Sequence, residues 1–283
     1  MINTRVYEAE TLKKLQKIEI DKFKDFADFC DRHEINYFAI AGSAIGAVRH
    51  RGMIPWDDDI DIGMLREDYE KFLKLVPQFL GDQYNVNGPD CVNQYYNLVP
   101  NISKKGTKFI VDLAEGRYNI GIFMDIFVFE NISEDSKEIE KQIKKTQIWR
   151  NLYILSNIDY FKFMKNEKLG MKMRYFVCGI IHHILKHIKK SKQWIYKMYL
   201  KEALLYNGKT NNYTILGDPF ARKCCIKRNE IFPIRKVPFE DTMINIPNKC
   251  EDMLTRRFGD FMKLPPVEKR VNHCPVELDL GEN

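Results

Sequence analysis

The chain has 283 residues, of which 45% are hydrophobic and 12% aromatic, and its formal net charge is +6. This composition excludes an intrinsically disordered protein, because it supplies enough apolar side chains for a sizeable core. No run approaches the length of about eighteen apolar residues that a membrane-spanning helix needs. Seven cysteines without a Cys-x-x-Cys pair predict reduced thiols and a cytoplasmic location.

A long helix, a strand and a short helix open the chain. Residues 8–34 carry apolar side chains at helical spacing, and residues 36–40 have the pattern of a strand. Gly42 and Ser43 follow, and the small residues of 44–49 predict a short helix capped by Ser43. Because backbone amides at a helix start bind phosphate, Gly42 and Ser43 are predicted phosphate-binding residues.

The stretch from residue 49 to residue 63 carries the strongest chemical pattern. It holds in order Arg49, His50, Arg51, Trp56, Asp57, Asp58, Asp59 and Asp61. Asp59 and Asp61 alternate with isoleucines, so on a strand both carboxylates lie on one face. Adjacent carboxylates repel each other unless a cation lies between them, and oxygen ligands favour Mg²⁺, with Mn²⁺ as the alternative. The pattern predicts a metal-dependent transferase acting on a phosphate compound.

Helix and strand patterns continue after this stretch. Residues 66–80 predict a helix, and residues 84–111 predict strands joined by two hairpin turns, at 87–89 and 104–106. Residues 121–130 are almost wholly apolar and predict a central strand buried on both faces.

Asp125 interrupts this apolar strand. A buried carboxylate is costly without a strong partner, so Asp125 must have one. We predict that it joins Asp59 and Asp61 as the third metal ligand. A buried Arg or Lys partner, or a backbone cap, is the alternative interpretation.

Positive charge is concentrated in the helical middle of the chain. Residues 134–209 contain 17 Lys and Arg against 7 Asp and Glu. This asymmetry indicates an anionic surface or polymer as a neighbour, with a solvated helical face as the alternative. The apolar run 175–188, flanked by basic residues, predicts either an amphipathic core helix or a helix lying on a membrane surface.

Short apolar runs with Gly and Pro replace long helices after residue 207, and residues 250–258 predict a last helix. We therefore expect a catalytic core over 1–132, a basic helical insertion over 133–206, and a C-terminal region over 207–283 that packs back on the core. Basic residues near the end of the chain, His273 among them, are placed to reach an anionic substrate.

The order of Gly-Ser, acid-aliphatic-acid and a lone Asp resembles that of the nucleotidyltransferase superfamily related to polymerase β. More closely, residues 46–63 (GAVRHRGMIPWDDDIDIG) resemble the signature of the LicD family. The likeness continues at 66–69 (REDY), 123–127 (FMDIF) and 257–266 (RFGDFMKLPP), with His273. It implies an α+β fold with a nucleotidyltransferase-like mixed sheet flanked by helices, a helical insertion and a small C-terminal strand and turn region.

The resemblance also implies an activity. Family members transfer a phospho-alcohol, most commonly phosphocholine, from a CDP-linked donor to a glycan hydroxyl and release CMP, whereas fukutin-type relatives use CDP-ribitol. The glycan is a cell-surface polymer such as lipopolysaccharide, teichoic acid or capsular polysaccharide, free or lipid-linked. Departures from the family pattern at 128–130 and Phe258 leave the donor and the acceptor open.

The site residues follow from the pattern and the resemblance together. Asp59, Asp61 and Asp125 are the predicted catalytic residues and hold Mg²⁺. The predicted nucleotide- and phosphate-binding residues are Gly42, Ser43, Arg49, His50, Arg51, Trp56, Asp57 and Asp58, with Arg49 as the diphosphate clamp and Trp56 stacking on a base or cationic headgroup. The alternatives are that Trp56 packs in the turn and that Asp57 and Asp58 orient the loop. Further donor or acceptor contacts are assigned to Arg257, Asp260 and His273.

Two alternatives have different partners. A nucleotidyltransferase would attack the α-phosphate of a nucleoside triphosphate, and a non-catalytic protein would bind a glycan or an anionic lipid. No nucleic-acid partner is expected, because the basic surplus lies far along the chain from the aspartates. A lipid-linked acceptor would place the protein at the inner face of the cytoplasmic membrane, in peripheral contact with it.

Overall fold

The computed structural model describes residues 7–281 apart from residues 92, 94, 115, 164–167 and 189–190, and over 112–118 it describes only the backbone. The helices are α1 (Ala9–Arg32), α2 (Ala41–Ile45), α3 (Arg66–Phe79), α4 (Ser136–Asn157), α5 (Leu169–His187), α6 (Ser191–Ala203), α7 (Arg228–Ile231) and α8 (Cys250–Phe258). The strands are β1 (Phe38–Ala39), β2 (Ile60–Leu65), β3 (Tyr84–Asn87), β4 (Asn101–Lys104), β5 (Lys108–Ala114), β6 (Gly116–Asn119), β7 (Phe123–Ile132), β8 (Asn212–Thr214), β9 (Ile226–Lys227), β10 (Arg235–Phe239), β11 (Thr242–Ile246) and β12 (Glu277–Asp279).

A mixed sheet of seven strands organises the fold. Its main path runs β1-β2-β7-β4-β3, and β8 and β9 extend it from the far end of β7. β2 and β7 run parallel, whereas the other neighbouring strands are antiparallel. Smaller sheets are formed by β10-β11 and by β12-β5-β6. The α+β class is therefore confirmed.

The predicted central strand is β7, which lies between β2 and β4. Its apolar side chains Met124, Ile126 and Phe129 are buried, as are Ile60 and Ile62 of β2. The acid-aliphatic alternation therefore directs the isoleucines into the core, as expected. Because β2 and β7 are parallel and in register, polar residues at their starts meet at one edge of the sheet.

Helices α1 and α3 contribute aromatic side chains to the same core. Phe23 and Phe26 of α1 and Phe72 of α3 are fully buried, and the rings of Phe26 and Phe72 lie 5.7 Å apart. Burial of each such side chain contributes about 2 kcal/mol. The apolar periodicity predicted both helices, and α8 begins and ends where the sequence places it.

The two predicted hairpins are wrong. Strands β3 and β4 do pair, but residues 88–100 separate them, so the turn at 87–89 does not join them directly. Strands β4 and β5 belong to different sheets, so the turn at 104–106 redirects the chain from one sheet to another. Turn residues predict where the chain changes direction, but they do not predict which strands pair. Pairing depends on which strands bury their apolar faces together.

The basic middle of the chain is helical, as predicted. Helix α4 is capped by Asp135, whose carboxylate accepts hydrogen bonds from the backbone N–H groups of Lys137 and Glu138. Side chains of α4 and α6 form a second hydrophobic cluster with residues such as Ile132 and Leu216. Among the described residues, no helix is both long and apolar enough to cross a membrane.

Candidate active site

Three carboxylates converge at the start of the parallel strands. Asp61 on β2 lies beside Asp125 on β7 in register, and Asp59 directly precedes β2. One oxygen from each of the three lies within 4.8 Å of the others. The structure therefore brings together Asp59, Asp61 and Asp125, which the sequence predicted as a set.

The electrostatics of this cluster are unfavourable without a cation. Burial raises the pKa of Asp61 well above its usual value, and the charges of Asp59 and Asp125 raise it further. Burial, followed by the charge of Asp59, raises the pKa of Asp125 to about 7. Among the described residues, Asp125 Oδ1 has no hydrogen-bond partner. An all-oxygen set with an orphaned oxygen and mutual repulsion fits a hard divalent cation such as Mg²⁺.

A second acid on β7, Glu130, shows how a buried carboxylate is paired with a basic side chain, which was the alternative interpretation of Asp125. Glu130 is buried, and its carboxylate forms an ion pair with the guanidinium of Arg66, which is also buried. Asp125 forms no such ion pair among the described residues. The structure thus favours the metal-ligand interpretation of Asp125 over the interpretation as a buried ion pair.

Ser43 occupies a different position from the one predicted. The helix begins at Ala41, whose φ is 45°, and Ile40 is the residue before it, without a side-chain cap. Ser43 therefore lies inside the helix, and its hydroxyl accepts a 2.7 Å hydrogen bond from the backbone N–H of Asp61. The capping prediction is wrong, because the strained turn at Ala41 starts the helix early. Ser43 instead ties α2 to β2.

Gly42 makes room for an aspartate. A Cβ at residue 42 would lie 2.6 Å from Asp57 Oδ2. Burial raises the pKa of Asp57 well above its usual value, and the charges of Asp59 and Asp58 raise it further. The absence of a side chain at Gly42 thus allows Asp57 to lie beside the carboxylate cluster.

We expect Gly42→Ala to displace the Asp57 carboxylate and to lower the free energy of unfolding by about 1 kcal/mol. In an Asp57→Ala background the same substitution should cost almost nothing, because the obstructing oxygen is gone. Urea unfolding of the four proteins in this double-mutant cycle measures the coupling. An equal loss in both backgrounds would show that Asp57 is not the obstacle.

Asp58 anchors the C-terminal tail, by which we mean residues 264–281. Its carboxylate accepts hydrogen bonds from the Tyr7 hydroxyl at 2.7 Å and from the backbone N–H groups of His273 and Cys274 at 3.1 Å and 3.2 Å. The His273 Nδ1 atom lies 3.1 Å from Asp58 and 3.6 Å from Asp59. Burial opposes ionisation of Asp58, but its hydrogen bonds to His273 and Tyr7 and the charge of His273 lower its pKa overall. Asp58 therefore positions the tail beside the cluster.

Removal of this anchor should expose the tail to protease. We expect Asp58→Ala to speed tryptic cleavage after Lys269 and Arg270 by about tenfold, because the segment loses hydrogen bonds that hold it closed. Tyr7→Phe removes a single donor and should have a smaller effect. Cleavage rates followed by mass spectrometry provide the measurement, and an unchanged rate in Asp58→Ala would contradict the anchoring role.

The anchored tail brings Arg270 near Arg49, and we call these two arginines the basic border. The Arg270 guanidinium lies 4.5 Å from the centre of the Trp56 ring, and Asn272 donates to the Trp56 carbonyl. Arg49 donates from Nε to His50 and from Nη1 to the carbonyl of Phe261. Burial, and then the charge of Arg270, lower the pKa of Arg49. Two neighbouring positive charges without an acidic partner among the described residues attract anions.

The other predicted residues lie in different settings. Arg51 is exposed, has a φ of 58°, and its carbonyl accepts from the backbone N–H of Glu240. Arg257 contacts the carboxylate of Asp218 and the thiol of Cys224. Asp260 is exposed and immediately precedes Phe261, whose carbonyl contacts Arg49. These contacts give Arg257 a structural partner instead of a free guanidinium.

Sequence reasoning missed a buried ion pair under the site. Glu19 and Lys22 of α1 are fully buried, with Lys22 Nζ 2.7 Å from Glu19 Oε1. Burial lowers the pKa of Lys22, whereas Glu19 and then Asp59 and Asp125 raise it, so the amino group of Lys22 lies close enough to the cluster to feel its charges. The signal was present, because residues 15, 19, 22, 23 and 26 share one helical face. Two charged residues on an apolar face mark a functional neighbourhood.

Two further polar residues were missed because their partners are distant in sequence. Asn101 is fully buried on β4 and lies beside Asp125 in register, and its Nδ2 has no hydrogen-bond partner among the described residues. Gln16 of α1 donates to the carbonyls of Ile54 and Asp57 and so fixes the loop that carries the aspartates. No local pattern distinguishes either residue.

Comparison with known proteins places these residues in a family context. Residues 34–153 match the family model described as LicD/FKTN/FKRP, nucleotidyltransferase domain. The chain is 30% identical over 267 residues to the lipopolysaccharide cholinephosphotransferase LicD of Haemophilus influenzae, covering 93% of this chain and 96% of the relative. Uncharacterized proteins of Rickettsia typhi and Rickettsia prowazekii are 45% and 38% identical over 56 and 82 residues, which is 20% and 29% of this chain. The Haemophilus protein therefore matches over most of the chain, and the Rickettsia proteins match locally.

Proposed function

This chain belongs to the LicD family, and from that membership we propose that it transfers phosphocholine from CDP-choline to a hydroxyl of a cell-surface glycan and releases CMP. Family membership supports the assignment as a transferase. The Haemophilus relative is named for lipopolysaccharide, so lipopolysaccharide is the first acceptor to test. Teichoic acid and capsular polysaccharide are the alternative acceptors. A donor with another alcohol, such as ribitol, is the nearest variant of this proposal.

The convergence of Asp59, Asp61 and Asp125 carries the proposal. These carboxylates would hold Mg²⁺, or Mn²⁺ in its place, which when bound supplies the positive charge that neutralises a diphosphate. Asp125 is the proposed acceptor of the proton from the attacking hydroxyl. A non-catalytic binding protein would have no use for three carboxylates held this close against their mutual repulsion.

The chain's own residues would orient the donor. We place the diphosphate at the basic border, Arg49 and Arg270, because a guanidinium group can donate two hydrogen bonds to two phosphate oxygens at once. Trp56 already carries Arg270 on one ring face, so a base or a cationic headgroup would stack on the other face or displace Arg270. Gly42 and Ser43 would line the phosphate side of the site, beside Asp57 and Asp61.

We also propose that the core has a nucleotidyltransferase-like fold. The Gly-Ser pair in α2, the acid pair at the start of β2 and the acid on neighbouring β7 have the arrangement expected of a nucleotidyltransferase-like core. The description of the matching family model supports this assignment. True nucleotidyl transfer from a nucleoside triphosphate is the second candidate function, because the same carboxylates would serve it.

Product analysis separates the two candidates. The purified protein is incubated with Mg²⁺, a lipopolysaccharide acceptor and either CDP-choline or a panel of nucleoside triphosphates. We expect CMP to form with CDP-choline, together with phosphocholine on the acceptor. Pyrophosphate release from a triphosphate, with no CMP from CDP-choline, would support nucleotidyl transfer instead. Parallel calorimetry with CDP-choline, CDP-ribitol and CDP-glycerol identifies the preferred donor.

A further inference from the structure

Helix α5 presents an apolar face that the described part of the chain leaves uncovered. The face consists of Leu169, Met173, Phe176, Val177, Ile180 and Ile184, each at least 40% exposed. Their spacing of three, four or seven residues places them on one side of the helix. We call this set the α5 stripe. A monomeric protein rarely exposes so many large apolar side chains together, so the stripe indicates an interaction surface.

Helix α5 is held in place by contacts outside the stripe, so the stripe is not the result of a loosely attached helix. His182, on the side opposite the stripe, and Gly179, at its border, are buried. The ring of Phe161 lies against Gly179, where a Cβ would approach it to 2.5 Å. His182 Nδ1 lies 2.8 Å from the carbonyl of Leu155 on α4. These contacts fix the rotation of α5 and direct the stripe outward.

The charges around the stripe are all of one sign on this helix. Helix α5 contains no Asp or Glu, and its charged residues are Lys172, Arg174 and Lys186. At about 100° per residue, Lys172 and Arg174 fall on opposite borders of the stripe. The surrounding stretch 134–209 carries 17 basic against 7 acidic residues. An apolar stripe with basic borders is the pattern of a helix that lies in the interface of an anionic membrane.

We propose that the α5 stripe docks on the surface of a membrane containing anionic lipids, with the helix axis parallel to the surface. The charge pattern favours this occupant over a second copy of the chain. A symmetric dimer would place the same patch on both sides and bring the basic borders together. An anionic lipid surface supplies both an apolar layer for the stripe and negative headgroups for its borders. Docking holds the protein at a membrane whether or not the proposed transfer reaction is correct.

Vesicle co-sedimentation of the full chain tests the proposal. One set of vesicles is phosphatidylcholine alone, and the other contains equal parts of phosphatidylcholine and phosphatidylglycerol. We expect binding to the anionic vesicles, and expect Ile180→Glu to lower the partition coefficient by at least about tenfold, because it removes buried apolar area and adds a repelled charge. Met243→Glu is the matched control, since Met243 on β11 is similarly exposed outside the stripe and should bind as the unchanged protein does.

The basic borders are tested separately. Replacing Lys172 and Arg174 together by Gln should lower binding to the anionic vesicles by about tenfold and leave binding to neutral vesicles unchanged. Thermal unfolding of every variant checks that the fold is intact. The proposal is overturned if the protein fails to bind anionic vesicles, or if it binds neutral vesicles equally well. A concentration-dependent dimer in sedimentation velocity that Ile180→Glu abolishes would assign the stripe to a second copy instead.

Discussion

Replacement of Asp61 by Asn is expected to reduce phosphocholine transfer by at least about a thousandfold, because the change removes a charge that the proposed mechanism needs for its cation. The same substitution should raise the thermal unfolding midpoint of the metal-free protein. Asp61 is half-buried beside Asp59 and Asp125, and its pKa is raised well above the usual range by burial and by those charges. A site shaped for a cation is therefore costly to the fold when no cation is bound.

Initial rates of CMP release and calorimetric melting curves measure the two effects. Asp252→Asn is the matched control, since Asp252 is an exposed acid in α8 and should leave both quantities unchanged. Full turnover in Asp61→Asn would remove the metal mechanism. A lower melting midpoint with lost activity would indicate instead that Asp61 is needed mainly for folding.

Raising the pH of the metal-free protein from about 5 to about 8 is expected to lower its free energy of unfolding by on the order of 2–4 kcal/mol. The pKa of Asp125 is raised to about 7 in the folded chain, whereas an unfolded Asp titrates at about 3.9. The folded state thus holds the Asp125 proton more tightly than the unfolded state does. The stabilisation from this proton is fully present below the pKa of the unfolded chain, and it is lost as the pH rises through the pKa of the folded chain.

Two neighbouring groups act in the same direction as Asp125, whereas the lowered pKa of Lys22 acts in the opposite direction. The raised pKa values of Asp61 and His273 weaken the metal-free protein further as the pH rises. The lowered pKa of Asp58 acts below about pH 4, outside this range. Saturating Mg²⁺ should cancel the decline, because ligation favours the ionised carboxylates that repel one another without it.

Urea unfolding at a series of pH values, in EDTA and in Mg²⁺, provides the measurement for this second prediction. Asp125→Asn is the internal reference, since it removes one of the titrating groups and should reduce the pH dependence in EDTA. Stability that rises with pH in EDTA, or a decline that Mg²⁺ does not reduce, would contradict the assignment of the cluster as a cation site.

The sequence was informative where the chemistry follows from local spacing. The alternation of Asp59 and Asp61 with buried isoleucines identified one face of β2, and the apolar run around Asp125 identified the central strand. Both signals depend on the two-residue repeat of a strand, which any short window reveals. Helices α1, α3 and α8 were predicted for the corresponding reason, from helical periodicity.

Contacts with a distant part of the chain were not predicted. Asp58 was grouped with the nucleotide- and phosphate-binding residues, and the structure adds that it holds the tail at His273 and Cys274. The pair of Glu19 and Lys22 was not identified, yet it is fully buried and close enough to Asp59 and Asp125 to feel their charges. In each case the side chain lies next to a segment from another part of the chain. Local sequence patterns do not predict such contacts.

The amino-acid sequence by itself determined the elements that carry the site, their apolar faces and the three carboxylates that form the cluster. Tertiary structure alone decided which strands pair, where the tail lies, and which charged residues are buried beside the cluster. The physical reason is that side-chain periodicity acts over a few residues, whereas strand pairing and burial depend on which distant surfaces cover each other. The proposed cation site exists because β2 and β7 pair in register, which places Asp61 beside Asp125.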